Sequence, residues 1–127
     1  VKDAVNALKN ANDSRTDYHL TEYYPWGSCT LLEEGKFYKI RRLSVLPGKK
    51  LGCQMHYHRS EHWIIVSGTA TVVIDGQESL VSSNESVFIK NGRRHSIANN
   101  GKIILQVIEV QSGLYLEEDD IVNFDEN

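Results

Sequence analysis

Gln54-Met55-His56-Tyr57-His58-Arg59-Ser60-Glu61-His62-Trp63 carries three of the chain's five histidines, with an amide and a carboxylate among them. Residues two apart on a strand share a face, so Gln54, His56 and His58 point one way until the chain turns at Arg59-Ser60. Glu61 then returns toward the same pocket from the following strand, and alternation sends Trp63 inward and His62 to the opposite face. Further along, Asn91-Gly92-Arg93-Arg94-His95 sets another histidine at the start of a strand, where a hairpin partner would hold it opposite His56. Imidazole, carboxylate and a neutral amide oxygen form a donor set for Zn²⁺, and the same donors accept Co²⁺, Mn²⁺, Ni²⁺ or Fe²⁺. Gln54, His56, Glu61 and His95 are therefore the expected metal ligands. His19 has no neighbouring donors and reads as a structural histidine, while Cys53 alternates away from Gln54 and reads as buried and inert.

Around this segment the pattern is that of strands. β-Branched and aromatic runs at about 37–46, 53–57, 62–66, 69–74, 77–82, 86–90, 95–98 and 103–110 are separated by turn residues such as Pro47-Gly48, Ser67-Gly68, Asn91-Gly92 and Asn99-Asn100-Gly101. Asp75-Gly76 between two such runs is the signal of a two-residue type I′ hairpin. Many short strands with frequent turns predict an all-β fold, a sandwich or a closed jelly-roll barrel. At the start, Ala4, Val5, Ala7, Leu8 and Ala11 recur at helical spacing until Asn12-Asp13-Ser14 stops them, so residues 1–19 read as a short helix and linker and 20–127 as one β domain. Glu117 to Val122 reads as a short helical turn.

The 127 residues, 40% of them hydrophobic, suffice for one core. A formal charge of −3, from 14 basic and 17 acidic side chains, provides no broad cationic field for nucleic acid or an anionic membrane, so an anionic ligand must be held by a local basic cluster. No apolar run approaches the length that crosses a bilayer as a helix. Cys29 and Cys53 lack metal or redox spacing, which predicts reduced thiols and a cytoplasmic protein. Ile103 to Ile108 offers little polar surface to solvent, and a homodimer is expected to cover it.

The same residues resemble the two cupin motifs. Gly48, Gln54, His56, Glu61 and Gly68 follow the first, with Gln54 where that family usually has histidine, and Gly92, His95 and Asn99 follow the second, with Lys90 where proline is usual. Tyr-Pro-Trp-Gly-Ser at 24–28, Tyr38 to Arg42, the segment from Gln54 to Trp63, Val66 to Ala70 and Ile108 to Gly113 resemble, more narrowly, the type II phosphomannose isomerase domain, which is commonly the C-terminal part of a bifunctional mannose-1-phosphate guanylyltransferase and mannose-6-phosphate isomerase. Tyr24 stands where that family usually has arginine. The resemblance implies a cupin double-stranded β-helix, or jelly-roll barrel, that interconverts mannose 6-phosphate and fructose 6-phosphate in GDP-mannose supply. It also implies a guanylyltransferase domain on the same or another chain.

Such an isomerisation moves a proton between C1 and C2 through an enediol, which needs a base and something to stabilise the oxyanion. His58 is the expected base because it shares the pocket face and titrates near neutral pH, with Lys39 and Glu109 behind it. The phosphate needs cations, for which Arg41, Arg59, Arg93 and Arg94 are the local supply. The alternatives from other classes are a sugar-binding or regulatory cupin without catalysis, and a metal-dependent dioxygenase or sugar epimerase.

Overall fold

In the computed structural model, residues 20–124 are described, and the expected N-terminal helix lies outside them. Eleven strands follow in chain order: β1 (Leu20–Tyr24), β2 (Gly27–Glu34), β3 (Tyr38–Val45), β4 (Lys50–His56), β5 (Arg59–Ser67), β6 (Thr69–Ile74), β7 (Gln77–Ser82), β8 (Ser86–Ile89), β9 (His95–Ala98), β10 (Leu105–Gly113) and β11 (Ile121–Asn123). A single 3₁₀ turn, Glu118–Asp120, precedes the last strand. The strands form two antiparallel sheets, ordered β1-β2-β3-β10-β5-β8 and β11-β4-β9-β6-β7.

Local chemistry accounts for the turns. Asp75 and Gly76 both have positive φ, 51° and 82°, as a type I′ turn requires, and they join β6 to β7 in full register. At the other end of the molecule Pro25-Trp26 joins β1 to β2, and Gly27 beside it lies so near β3 that an added Cβ would fall 1.8 Å from the Ser44 carbonyl oxygen. Only glycine lets this hairpin tip pack down.

The two sheets close over a core of Leu43, Val45, Trp63, Ile65, Ala70, Val72, Ile97, Leu105 and Val107, all at or near zero exposure. Cross-strand register across β3, β10 and β5 explains why one part of the interior is apolar and the adjoining part is charged. One inward rung is Leu43, Val107 and Ile65; the next is Arg41, Glu109 and Trp63; the third is Lys39, Gln111 and Glu61. Strict alternation thus continues the core period into residues of another chemistry.

Across the barrel, β4 contains a bulge between Leu51 and Gln54, where three steps on β4 oppose two on β9. The extra residue changes the parity: Leu51 packs on the core, and Gln54 and His56, an odd number of residues away, also reach the inner side.

Candidate metal centre

His56 ends β4, Glu61 lies near the start of β5, and His95 begins β9, so three strands deliver one side chain each to the polar part of the interior. The side chains are 3%, 2% and 3% exposed, and their donor atoms lie within 4.8 Å of one another. His56 Nε2 is 2.6 Å from Glu61 Oε2, and His95 Nε2 is 3.6 Å from Glu61 Oε1. Despite that short contact, both ring nitrogens of His56 lack a hydrogen-bond partner. A buried polar atom left in this state costs free energy unless something else binds it. Burial, followed by the nearby Arg59 charge, lowers the His56 pKa to about 4, so the ring is neutral with a lone pair to give. His95 Nδ1 donates to the Arg93 carbonyl at 3.1 Å, which leaves its Nε2 lone pair toward Glu61. Two imidazoles and a carboxylate converging in the buried interior fit a divalent cation.

Gln54 pairs with His95 across the β4–β9 ladder, and its Nε2 donates to Asn123 Oδ1 at 3.2 Å. The nitrogen is committed to Asn123, so Oε1 is the atom it can offer a cation.

Behind Glu61 lies a polar network. Trp63 Nε1 donates to Glu61 Oε1 at 2.8 Å and to Glu109 Oε2 at 3.2 Å. Arg41 donates through Nε and Nη2 to Glu109 Oε1 at 2.7 and 2.6 Å, and Gln111 Nε2 donates to the same oxygen at 3.1 Å. Burial and then the Glu61 carboxylate raise the Glu109 pKa to about 7, against the opposing pull of Arg41.

Arg59, 3% exposed, donates to Gln111 Oε1 and the Glu117 carbonyl at 3.0 and 2.5 Å and faces Asp120 at 3.5 Å. Asp120 also accepts the backbone amides of Tyr57 and His58 at 3.1 and 3.0 Å, and the His58 Nδ1 contact at 2.8 Å. Burial would raise this carboxyl, yet the hydrogen bonds from the His58 side chain and the two amides outweigh it and hold the pKa below the ordinary value.

Several expected site residues stand elsewhere. His58 does not share the face of His56: β4 ends at His56, the turn falls at Tyr57-His58 rather than Arg59-Ser60, and the ring is 64% exposed, against Asp120 and Tyr115. Lys39 donates to the Leu116 carbonyl at 3.2 Å. Arg93 pairs with Asp75 of the β6–β7 hairpin at 2.9 Å, and Arg94 stacks over the Phe124 ring at 4.0 Å, so neither reaches the buried cluster. Arg41 lines a cavity of about 400 Å³, shared with Tyr24, Trp26, Leu51, Gln54 and Asn123. Asp120, Gln111 and Asn123 were not expected; Gln111 was readable as the next inward step after Glu109, but nothing local marks Asp120 or Asn123.

A family model described as mannose-6-phosphate isomerase C-terminal matches residues 11–126. The chain belongs to that family. Relatives of the mannose-6-phosphate isomerase C-terminal domain include the Escherichia coli K12 mannose-1-phosphate guanylyltransferase, 46% identical over 98% of this chain and 26% of that protein. They also include the Salmonella typhimurium mannose-1-phosphate guanylyltransferase ManC, 45% identical over 99% of this chain and 26% of that protein. The Xanthomonas campestris xanthan biosynthesis protein XanB is 44% identical over 99% and 27%. The chain thus spans about a quarter of the length of these relatives, and each of them carries further sequence outside the matched domain. Among solved structures, the capsular polysaccharide assembling protein CapF of Staphylococcus aureus superimposes with a TM-score of 0.77 at 21% identity, over 87% of this chain and 33% of CapF. KdgF of a Halomonas species gives 0.71 at 14% identity, over 80% and 90%. These likenesses identify the fold, the cupin barrel, and nothing finer. Among the described residues no helix is long and apolar enough to cross a membrane, and Cys29 and Cys53 are not disulfide-bonded.

Proposed function

We propose that this domain is a metal-dependent aldose–ketose isomerase that interconverts mannose 6-phosphate and fructose 6-phosphate through an enediol. The observation that carries the proposal is the buried, unpartnered His56 beside Glu61 and His95 in a chain of this family. His56, Glu61 and His95 would hold the ion, with Gln54 Oε1 as the fourth ligand and Zn²⁺ the first candidate. When bound, such an ion supplies Lewis-acid stabilisation for the oxyanion that develops as a proton leaves C2 of the aldose or C1 of the ketose.

The protein's own residues do the rest. Trp63 fixes the orientation of Glu61 by a hydrogen bond to Oε1, and Gln111 supports the same carboxylate from its other oxygen at 3.5 Å. Of the three groups considered for proton transfer, Glu109 is the one we assign: it lies beside Glu61, sharing the Trp63 N–H through Oε2, and burial holds its pKa high, to about 7 in the metal-free chain, whereas the His58 ring faces solvent and the Lys39 side chain is turned to the Leu116 carbonyl. Arg41 holds Glu109 in place and presents cationic charge to the cavity, where a sugar oxyanion would be favoured.

The relatives point to where the activity would belong: alongside a mannose-1-phosphate guanylyltransferase domain, in the supply of mannose for an activated sugar or polysaccharide. Proton transfer through an enediol has its own signature. Incubated in D₂O with mannose 6-phosphate, the metal-loaded protein should yield fructose 6-phosphate carrying deuterium at C1; product without any solvent deuterium would instead indicate direct hydride transfer or a shielded proton, and no product would refute the proposal.

A further inference from the structure

We infer that Asn123 is a positioning residue for the metal centre: carried on the C-terminal strand β11, it fixes which end of the Gln54 amide is left for the cation. The inference rests on the metal site proposed above, and not on the reaction proposed for it.

The expected ligands differ in how much orienting they need. A carboxylate offers two like oxygens, and an imidazole is set once its other nitrogen is engaged. A primary amide has two ends of nearly equal size and opposite chemistry, an oxygen with lone pairs and an NH₂ group with none to give. An unheld glutamine must therefore be turned and immobilised when a cation binds, at a cost in affinity. Glu61 is held by Trp63 and Gln111, and His95 by the Arg93 carbonyl. For Gln54 that part falls to Asn123, whose Oδ1 accepts from Nε2 at 3.2 Å.

The strand ladder puts Asn123 in place. β4 lies between β11 and β9, and Gln54 is directly opposite Asn123 on one side and His95 on the other. Directly opposed residues of antiparallel strands share a face, so the three side chains form a row that ends at a metal ligand. Gln54 and Asn123 both line the cavity that Arg41 borders, as expected of side chains on one side of the sheet. In the next row on that face Ile121 is opposite His56. The backbone of β11 is anchored to either side of Asn123: Phe124 N donates to the Cys53 carbonyl at 3.0 Å, and Asp120 accepts the amides of Tyr57 and His58. Asn123 itself is exposed, so little of the core depends on its side chain. What it contributes is an acceptor at a fixed place, 69 positions along the chain from Gln54.

The test is a double-mutant cycle on the intact protein, with Zn²⁺ and Co²⁺ affinities measured by competition with a chelating indicator and the Co²⁺ absorption spectrum recorded for each variant. Asn123→Ala should weaken both ions by about tenfold, shift the Co²⁺ spectrum toward that of Gln54→Ala, and leave the urea midpoint of the metal-free protein close to wild type. Asn123→Asp, which when ionised can only accept, should bind at least as tightly as wild type. In a Gln54→Ala background, adding Asn123→Ala should cost less than about twofold more. Equal losses from Asn123→Ala with and without Gln54 would overturn the positioning role, as would an Asn123→Asp protein as weak as Asn123→Ala. Wild-type protein that binds neither ion would overturn the metal centre and this inference with it. The expected cycle in a protein that converts no mannose 6-phosphate would keep the positioning role and overturn only the isomerase.

Discussion

Replacing Glu109 by Gln tests the electrostatics of the site through its effect on metal-free stability as a function of pH. Glu109 is 2% exposed, and its pKa is raised from 4.5 to about 7, first by burial and then by Glu61. A raised folded-state pKa means that the folded chain holds a proton the unfolded chain has released. Its stabilising contribution is therefore complete below about pH 4.5 and lost as pH rises through about 7. His56 runs the other way: its pKa is lowered from 6.5 to about 4, so its contribution is present above about 6.5 and lost as pH falls through about 4. Each titrating group changes stability by about 1.4 kcal/mol per pH unit, or roughly 3 kcal/mol across its window. Between about pH 5 and 6 the two slopes oppose and nearly cancel in the wild-type protein. Glu109→Gln deletes one of them. Its absolute stability falls because Arg41 loses a buried partner, but the informative quantity is the difference between the two proteins. Urea unfolding in EDTA should show the variant's deficit shrinking by about 1.4 kcal/mol per unit between pH 5 and 6.5 and levelling off above pH 8, a shift of roughly 1 M in relative midpoint per unit. Parallel stability curves would refute the assignment of a raised pKa to Glu109.

Asp120→Ala should remove the acceptor that holds the Tyr57-His58 turn and leave Arg59 buried without its carboxylate. Unfolding should become easier by about 2–4 kcal/mol, and metal affinity should fall by roughly tenfold, read by urea titration and by competition with a metal indicator. Trp63→Phe keeps an aromatic ring in the core, at some loss of volume, and takes the N–H from Glu61 and Glu109; stability should drop by about 1–3 kcal/mol, and metal affinity should fall where a purely packing role would leave it unchanged. Phe88, Val66 and Ile64, 61%, 51% and 36% exposed on the outer side of one sheet, form the surface on which we expect a second copy. Light scattering at micromolar concentration should give a dimer, and Phe88→Asp a monomer; a monomeric wild type would refute this.

Period and turn chemistry made much of this fold readable. Asp75-Gly76 dictated the β6–β7 hairpin with its bounds, and β9 and most of β3, β5, β8 and β10 follow from alternation. Strands β1 and β2 escaped because Pro25-Trp26-Gly27 looks like a break in a polar stretch, and the glycine's role depends on Ser44, distant in sequence. The convergence of His56, Glu61 and His95 on one buried pocket was anticipated from their spacing and strand alternation. Alternation misled at His58, because nothing local shows that the turn begins one residue after His56; that is set by Asp120, more than sixty positions away. The arginines show the same limit. Sequence supplies the cations, but only the fold reveals that Arg41 and Arg59 face carboxylates inside while Arg93 and Arg94 serve the outer surface.

The most direct test of a metal-dependent isomerase is to measure metal content and conversion of mannose 6-phosphate to fructose 6-phosphate on one sample, before EDTA, after EDTA and after metal is restored. One equivalent of divalent metal, with turnover that disappears and returns along with it, is expected. Turnover that persists in metal-free protein, or a fully loaded protein that converts nothing, would contradict the proposed activity.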